Sequence, residues 1–141
     1  MIEILICATL AFSDGDSGRC RTADGENHRV RLAGVDAGEV APHTRCRQQP
    51  AIWACSTTGR AYAAPATQRA RQLAQGGARC RVEDRDRYGR IVAVCTASGR
   101  DIGGTLITEG LAIADPRYGA RYRRLEAEAR RQGRGLWRDT R

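Results

Sequence analysis

The chain has 141 residues, 41% of them apolar, which is enough for one compact core and excludes a wholly disordered polyelectrolyte; one domain spanning 1-141 is expected. Basic residues outnumber acidic ones, 24 to 16, and the net charge of +8 favours polyanions such as nucleic acid or an anionic membrane surface as partners. Every basic residue is Arg; its planar donor fork suits phosphate, but a complete absence of Lys is as well explained by coding bias, so the choice is not read as functional.

From the start of the chain, Ile2 to Phe12 is apolar but contains Glu3, has no basic segment before it and is too short to span a bilayer. It reads as a first strand. The turn formers Ser13 to Gly18 follow, then a strand from Arg19 to Ala23, the turn Asp24-Gly25, and His28 to Leu32, whose alternation marks a half-buried strand. Glu39 to Gly59 is polar, holds Pro42 and Pro50 and has no period; it reads as a long loop. A helix is expected next, with Pro65 in its first turn, Ala66, Ala70 and Leu73 on one face and Gly76-Gly77 as its stop. Arg79 to Glu83 and Arg90 to Thr96 flank Asp86-Arg87-Tyr88-Gly89 as a hairpin. Asp101 can cap a short helix, and a last helix from about Tyr118 to Gln132 would bury Tyr118, Tyr122, Leu125 and Ala129. Five strands with a helix between the third and fourth make an α+β chain of OB-fold type, a five-stranded β-barrel with three helices.

Six cysteines form an even set, the usual sign of disulfides in an oxidising compartment, so a periplasmic or secreted protein is expected, with any export signal upstream of this numbering. Cys80 and Cys95 are equidistant from the Asp86–Gly89 turn and would face each other on paired strands. Cys7 and Cys20 lie almost symmetrically about Asp14, which leaves Cys46 and Cys55 to close the loop. Zinc is not expected, because His43, Cys46 and Cys55 supply only three ligands in an unfamiliar spacing. Neither His28 nor His43 has a suitably paired Ser or Cys for a nucleophilic scheme.

Asp14, Asp16, Asp36 and Glu39 concentrate four acids at two strand ends of a strongly positive chain, which suggests a cation site with oxygen ligands. Asp24, in an Asp-Gly turn, is read as a turn residue only. Arg31 and Arg90 fall near the same end of the barrel, where a pair of guanidinium groups can grip a phosphodiester and stabilise the charge that develops during its cleavage.

Asp14-Gly15-Asp16-Ser17, Arg31-Leu32-Ala33-Gly34-Val35-Asp36-Ala37-Gly38-Glu39, Asp86-Arg87-Tyr88-Gly89-Arg90, Gly110-Leu111-Ala112 and Gly135-Leu136-Trp137 resemble the staphylococcal nuclease family in order and spacing, over nearly the whole chain. The resemblance implies Asp16, Asp36 and the backbone carbonyl of Ala37 as ligands of Ca2+, with Mg2+ or another divalent ion as alternatives, and Asp14 as their support. It implies Glu39 as general base or organiser of the attacking water, Arg31 and Arg90 as phosphate-binding catalytic residues, and Arg87 and Tyr88 as substrate contacts. The chain departs from the family pattern at Ser17 for Thr, Gly38 for Pro, Gly103 for Asn, and Asp115-Pro116 where an aromatic contact is common. Gly38 is expected to loosen the segment that carries Glu39, so that Gly38→Pro would stabilise it.

These readings converge on a metal-dependent endonuclease acting on DNA, RNA or both, monomeric, with no membrane partner. The alternative is a non-catalytic OB-fold nucleic-acid-binding module, for which an aromatic content of 5% is a thin stacking platform. An interaction domain that has lost catalysis fits less well, since Asp16, Asp36, Glu39, Arg31 and Arg90 are all present.

Overall fold

The structure is a computed structural model and describes residues 1–139. The chain opens with β1 (Ile4–Cys7), β2 (Thr9–Asp14), β3 (Ser17–Arg21), β4 (Asn27–Leu32) and the short β5 (Val35–Asp36). A loop with two 3-10 turns leads to α1 (Thr57–Leu73) and the hairpin β6 (Ala78–Arg85) and β7 (Ile91–Ala97). The short β8 (Arg100–Asp101), α2 (Ile102–Thr108), β9 (Ile113–Ala114) and α3 (Arg123–Arg131) complete the regular elements.

The main sheet runs β1-β6-β7-β4-β3-β2, antiparallel except where β4 lies parallel to β7. Its two ends, β1 and β2, are consecutive stretches of chain interrupted only at Ala8, whose N–H still bonds to Arg21 at 2.8 Å. The strand order therefore returns on itself, as in an OB-type barrel. Alternation decides which face looks inward. In β3, Gly18 and Cys20 are buried while Arg19 and Arg21 are exposed, and β7 buries Ile91, Ala93, Cys95 and Ala97.

Inside, Leu10, Phe12, Val30, Leu32, Ile91 and the α2 residues Ile102, Leu106 and Ile107 form one apolar cluster with the buried face of α1. Burying each large side chain contributes roughly 1.5–3 kcal/mol. Disulfides join Cys7 to Cys20, Cys46 to Cys55 and Cys80 to Cys95, and no described cysteine is free. Cys80 and Cys95 are register partners, and the Cys7 sulfur lies 3.9 Å from that of Cys80, so two bridges pack against each other within the core.

Three boundaries differ from the expectation. Helix α1 begins at Thr57, capped by the Ser56 side chain accepting from the Gly59 N–H at 3.0 Å, so Pro65 lies well inside the helix instead of in its first turn. Pro65 has no N–H to give the Ala61 carbonyl and its ring crowds that oxygen, but both residues lie on the exposed face, where water can satisfy the freed carbonyl. The last helix starts at Arg123, because Asp115 Oδ1 accepts from the N–H groups of Arg117 (2.8 Å) and Tyr118 (3.0 Å) and holds that stretch as a turn. Tyr118 is consequently 70% exposed and is not part of the buried stripe, whereas Tyr122 and Ala129 are buried. The first strand is bent at Ala8 into two. No helix among the described residues is long and apolar enough to cross a membrane.

Candidate active site

The turn between β2 and β3 carries Asp14 and Asp16, with Gly15 between them pressed against the next layer: a Cβ there would stand 2.8 Å from that of Ala66 and 2.9 Å from that of Ala37. Only glycine lets the turn sit so close to α1. Asp16 is 4% exposed. Its Oδ2 accepts from the Ala37 N–H at 2.9 Å, its Oδ1 from the Ser17 hydroxyl at 3.0 Å, and its carbonyl from the Leu32 N–H at 2.8 Å. Ser17 thus supplies the hydroxyl donor to Asp16 that a Thr would also carry.

Arg31, from β4, points at this carboxylate: Nη1 lies 3.5 Å from Asp16 Oδ2, and Nη2 lies 3.9 Å from Asp115 Oδ2. Asp36 reaches the same neighbourhood because β5 pairs with β9, Asp36 opposite Ile113. Burial, then the charge of Asp16, pushes the Asp36 carboxyl up to about 6, with Arg31 opposing and Asp115 adding to the rise. Burial, then Asp16 and Glu39, likewise pushes Asp14 up to about 6. Asp14 Oδ1 accepts from the Val40 N–H at 3.3 Å, which ties the turn to the segment carrying Glu39.

That segment is held by its backbone. The Glu39 N–H donates to the Ala54 carbonyl at 2.9 Å, and the Glu39 carbonyl lies 2.9 Å from His43 Nδ1. Gly38 packs on the first turn of α1 so tightly that a Cβ would stand 1.7 Å from the Gly59 carbonyl oxygen. The expectation that Gly38 is a loosened proline site is therefore overturned: glycine is needed because backbone meets backbone there. Gly103 has a comparable reason, since a Cβ would lie 2.5 Å from Val35 Cγ2, behind Asp36.

The β6–β7 turn presents Arg87, Tyr88 and Arg90. Asp86 organises it, Oδ1 accepting from the N–H groups of Tyr88 (3.0 Å) and Arg90 (2.9 Å), and Oδ2 from Arg90 Nε at 2.7 Å. Burial raises the Asp86 carboxyl, but the bonds from Arg90 and Tyr88 outweigh it and hold the group below its ordinary range. With Nε committed, the terminal nitrogens of Arg90 have no hydrogen-bonding protein partner among the described residues and remain available. Arg87 lies 5.0 Å and Arg90 5.8 Å from the Tyr88 ring centroid.

Tyr88 and Arg90 form the rim shared by two cavities. One, of about 540 Å³, contains Arg31, Arg87, Asp115, Tyr118 and Arg121; the other, of about 530 Å³, contains Asp14, Glu39 and Arg45. Most of the sequence-derived site residues thus gather around one rim, while Asp16, Asp36 and Ala37 line neither cavity. The Ala37 N–H faces Asp16. Sequence reasoning missed Asp86 as the anchor of Arg90, although the four-residue spacing signals it, and Asp115, Arg45, Tyr118 and Arg121 as lining residues. Asp115-Pro116 signalled a turn, and no local pattern linked Arg45 or Arg121 to the site. Among the described residues no three His, Cys, Asp or Glu side chains converge as a group that could hold a metal ion.

The family model described as staphylococcal nuclease homologue matches residues 29–139 of this chain. No curated protein matches it.

Proposed function

This chain belongs to the staphylococcal nuclease homologue family, and from that premise we propose that it is a single-domain, metal-dependent endonuclease that hydrolyses phosphodiester bonds of DNA, RNA or both, working outside the cytoplasm as a monomer. The observation that supports this most is the shared rim, where Arg90 and Tyr88 face Arg31 in one cavity and Asp14 and Glu39 in the other.

A hard divalent cation, Ca2+ by the family's habit, fits the donor chemistry. Burial and the neighbouring Asp16 disfavour the charge of Asp36, and Arg31, 3.5 Å from Asp16, offsets that only in part. Asp16, Asp36 and the Ala37 carbonyl would hold the ion, with Asp14 in support and water in the remaining positions. When bound, it supplies charge to neutralise the phosphate and acidify a water.

The chain's own groups do the rest. Arg31 and Arg90 grip the non-bridging oxygens, and their charge has most effect when negative charge builds on them in the transition state. Asp86 fixes the direction of Arg90, so little reorganisation is needed at that moment. Glu39 takes a proton from, or orients, the water that attacks phosphorus in line with the leaving oxygen. Tyr88 and Arg87 bear on the nucleotide, and Tyr118, exposed beside the same cavity, offers a second ring.

A non-catalytic nucleic-acid-binding module is the second reading. The exposed rings of Tyr88 and Tyr118 in an arginine-lined cavity favour it, since binding alone needs only a stacking surface and positive charge. Incubation with single-stranded DNA, duplex DNA and RNA, each with Ca2+, Mg2+ or chelator, separates the two. The nuclease reading requires metal-dependent scission that chelator abolishes; binding without scission under every metal replaces it with the second.

A further inference from the structure

On the outer face of the barrel a groove of about 480 Å³ lies beyond the rim just described, lined by Arg19, Asn27, His28, Arg29 and Arg85 together with Gly89 and Ile91. It contains three guanidinium groups and a histidine, and no carboxylate among its described lining. Arg19 on β3 and Arg29 on β4 are register partners. Both side chains face outward, since alternation buries Cys20 and Val30 on the other side.

Like charges set directly opposite on paired strands destabilise the pair, and neither Arg19 nor Arg29 has an acidic partner among the described residues. Arg19 makes no ion pair with any described residue. Arg29 gives a donor of its guanidinium to the Tyr88 carbonyl, a neutral partner, and so joins the groove to the tyrosine of the rim. Among the described residues Arg85 has an acid, Glu3, in an exposed pair at 2.9 Å, and His28 lies 3.6 Å from Glu26; both acids sit at the surface, where a competing anion can replace them. The geometry connects the groove to the candidate active site: Arg19 and Arg29 also line the cavity that contains Glu39 and Arg90. A strand of repeating phosphates seated at the rim has a continuous basic path along which to extend.

We propose that Arg19, Arg29 and Arg85 form a second phosphate-binding site that grips the sugar–phosphate backbone flanking the bond to be cut. This rests on the nuclease reading for its place in the reaction, but not for its existence, because a backbone grip is an electrostatic property of the groove. Its consequence is a preference for long strands over short ones. A strand that fills both sites neutralises more arginines and releases more counterions than a dinucleotide at the rim alone.

The test uses Arg19→Gln/Arg85→Gln, which leaves Arg29 in place to hold Tyr88. Both substituted side chains are exposed, so the fold is retained. Binding of a labelled single strand longer than about 16 nucleotides, and of a dinucleotide, is titrated in chelator across salt concentrations. For the long strand the slope of log K against log salt should fall in magnitude by about 1.4, because two phosphates are no longer neutralised and each accounts for about 0.7; the dinucleotide, which at the rim can reach Arg19 but not Arg85, should lose at most about 0.7. Arg19→Lys/Arg85→Lys should restore the slope. An unchanged slope, or an equal loss with the dinucleotide, overturns the proposal. If the wild type binds but never cuts with metal restored, the nuclease reading fails while these slopes still decide the groove; if it cuts and the slopes do not differ, the groove fails alone.

Discussion

Asp86 illustrates how one side chain can decide what another is able to do. Its two oxygens take three donors from the turn it caps, and the last of these, Arg90 Nε, aims the rest of the guanidinium at the rim. Arg90→Ala should lower turnover on the order of 100-fold or more, with a smaller effect on substrate binding. Asp86→Ala should lower turnover in the same direction by misaiming Arg90. Steady-state kinetics of both variants and their double mutant check this, and additive losses would show that Asp86 does not act through Arg90. Gly38 illustrates a different kind of constraint. Any Cβ meets the Gly59 carbonyl oxygen, so Gly38→Ala and Gly38→Pro should each destabilise the fold by about 1–3 kcal/mol and displace Glu39. Thermal melts that show a gain in stability would contradict the packing.

At the scale of elements, the strand His28 to Leu32 is legible because a half-buried strand writes its alternation into the chain, whereas the expected strand from Arg90 to Thr96 is legible from the turn it flanks. The Asp86–Gly89 turn is equally readable, and the cysteines flanking it at equal distance meet across the pair. The start of α1 is not legible, because Pro65 looks like a first-turn signal while the real cap, Ser56, sits in an unremarkable polar stretch. Tyr118 misleads for a related reason: helical spacing to Tyr122 suggests burial, but the Asp115 turn intervenes. The segment with Glu39 is legible only as a loop. What orders it is tertiary: the Ala54 carbonyl receives the Glu39 N–H, and the neighbouring Cys55 is bonded to Cys46. Cys46→Ser/Cys55→Ser should cost about 2–4 kcal/mol of stability and lower turnover at temperatures where the variant is still folded. Denaturant melts alongside rates measured under folding conditions check both parts, and full activity in the variant would remove the bridge from any role in holding Glu39.

For the whole molecule, the charge is divided by function. An Arg-rich exterior surrounds a small interior group of acids, so the field that attracts a polyanion and the carboxylates that would hold a cation occupy different layers. Asp14 and Asp36 are each pushed up to about 6 chiefly by burial and next by Asp16, which means that their full ionisation is costly until positive charge arrives. Ca2+ should therefore stabilise the folded chain, by about 2.7 kcal/mol at a concentration a hundredfold above its dissociation constant, and raise the melting temperature in a concentration-dependent way. Calorimetric melts with and without chelator check this, and Asp16→Asn/Asp36→Asn should abolish the response.

The most direct measurement compares wild type and Glu39→Gln on one labelled single-stranded substrate in excess Ca2+, following binding and single-turnover scission together. The two proteins should bind alike, with scission by the variant slower on the order of 100-fold or more and chelator abolishing scission by the wild type. Equal scission rates, or wild-type scission that persists in chelator, would contradict a metal-dependent nuclease in which Glu39 handles the attacking water.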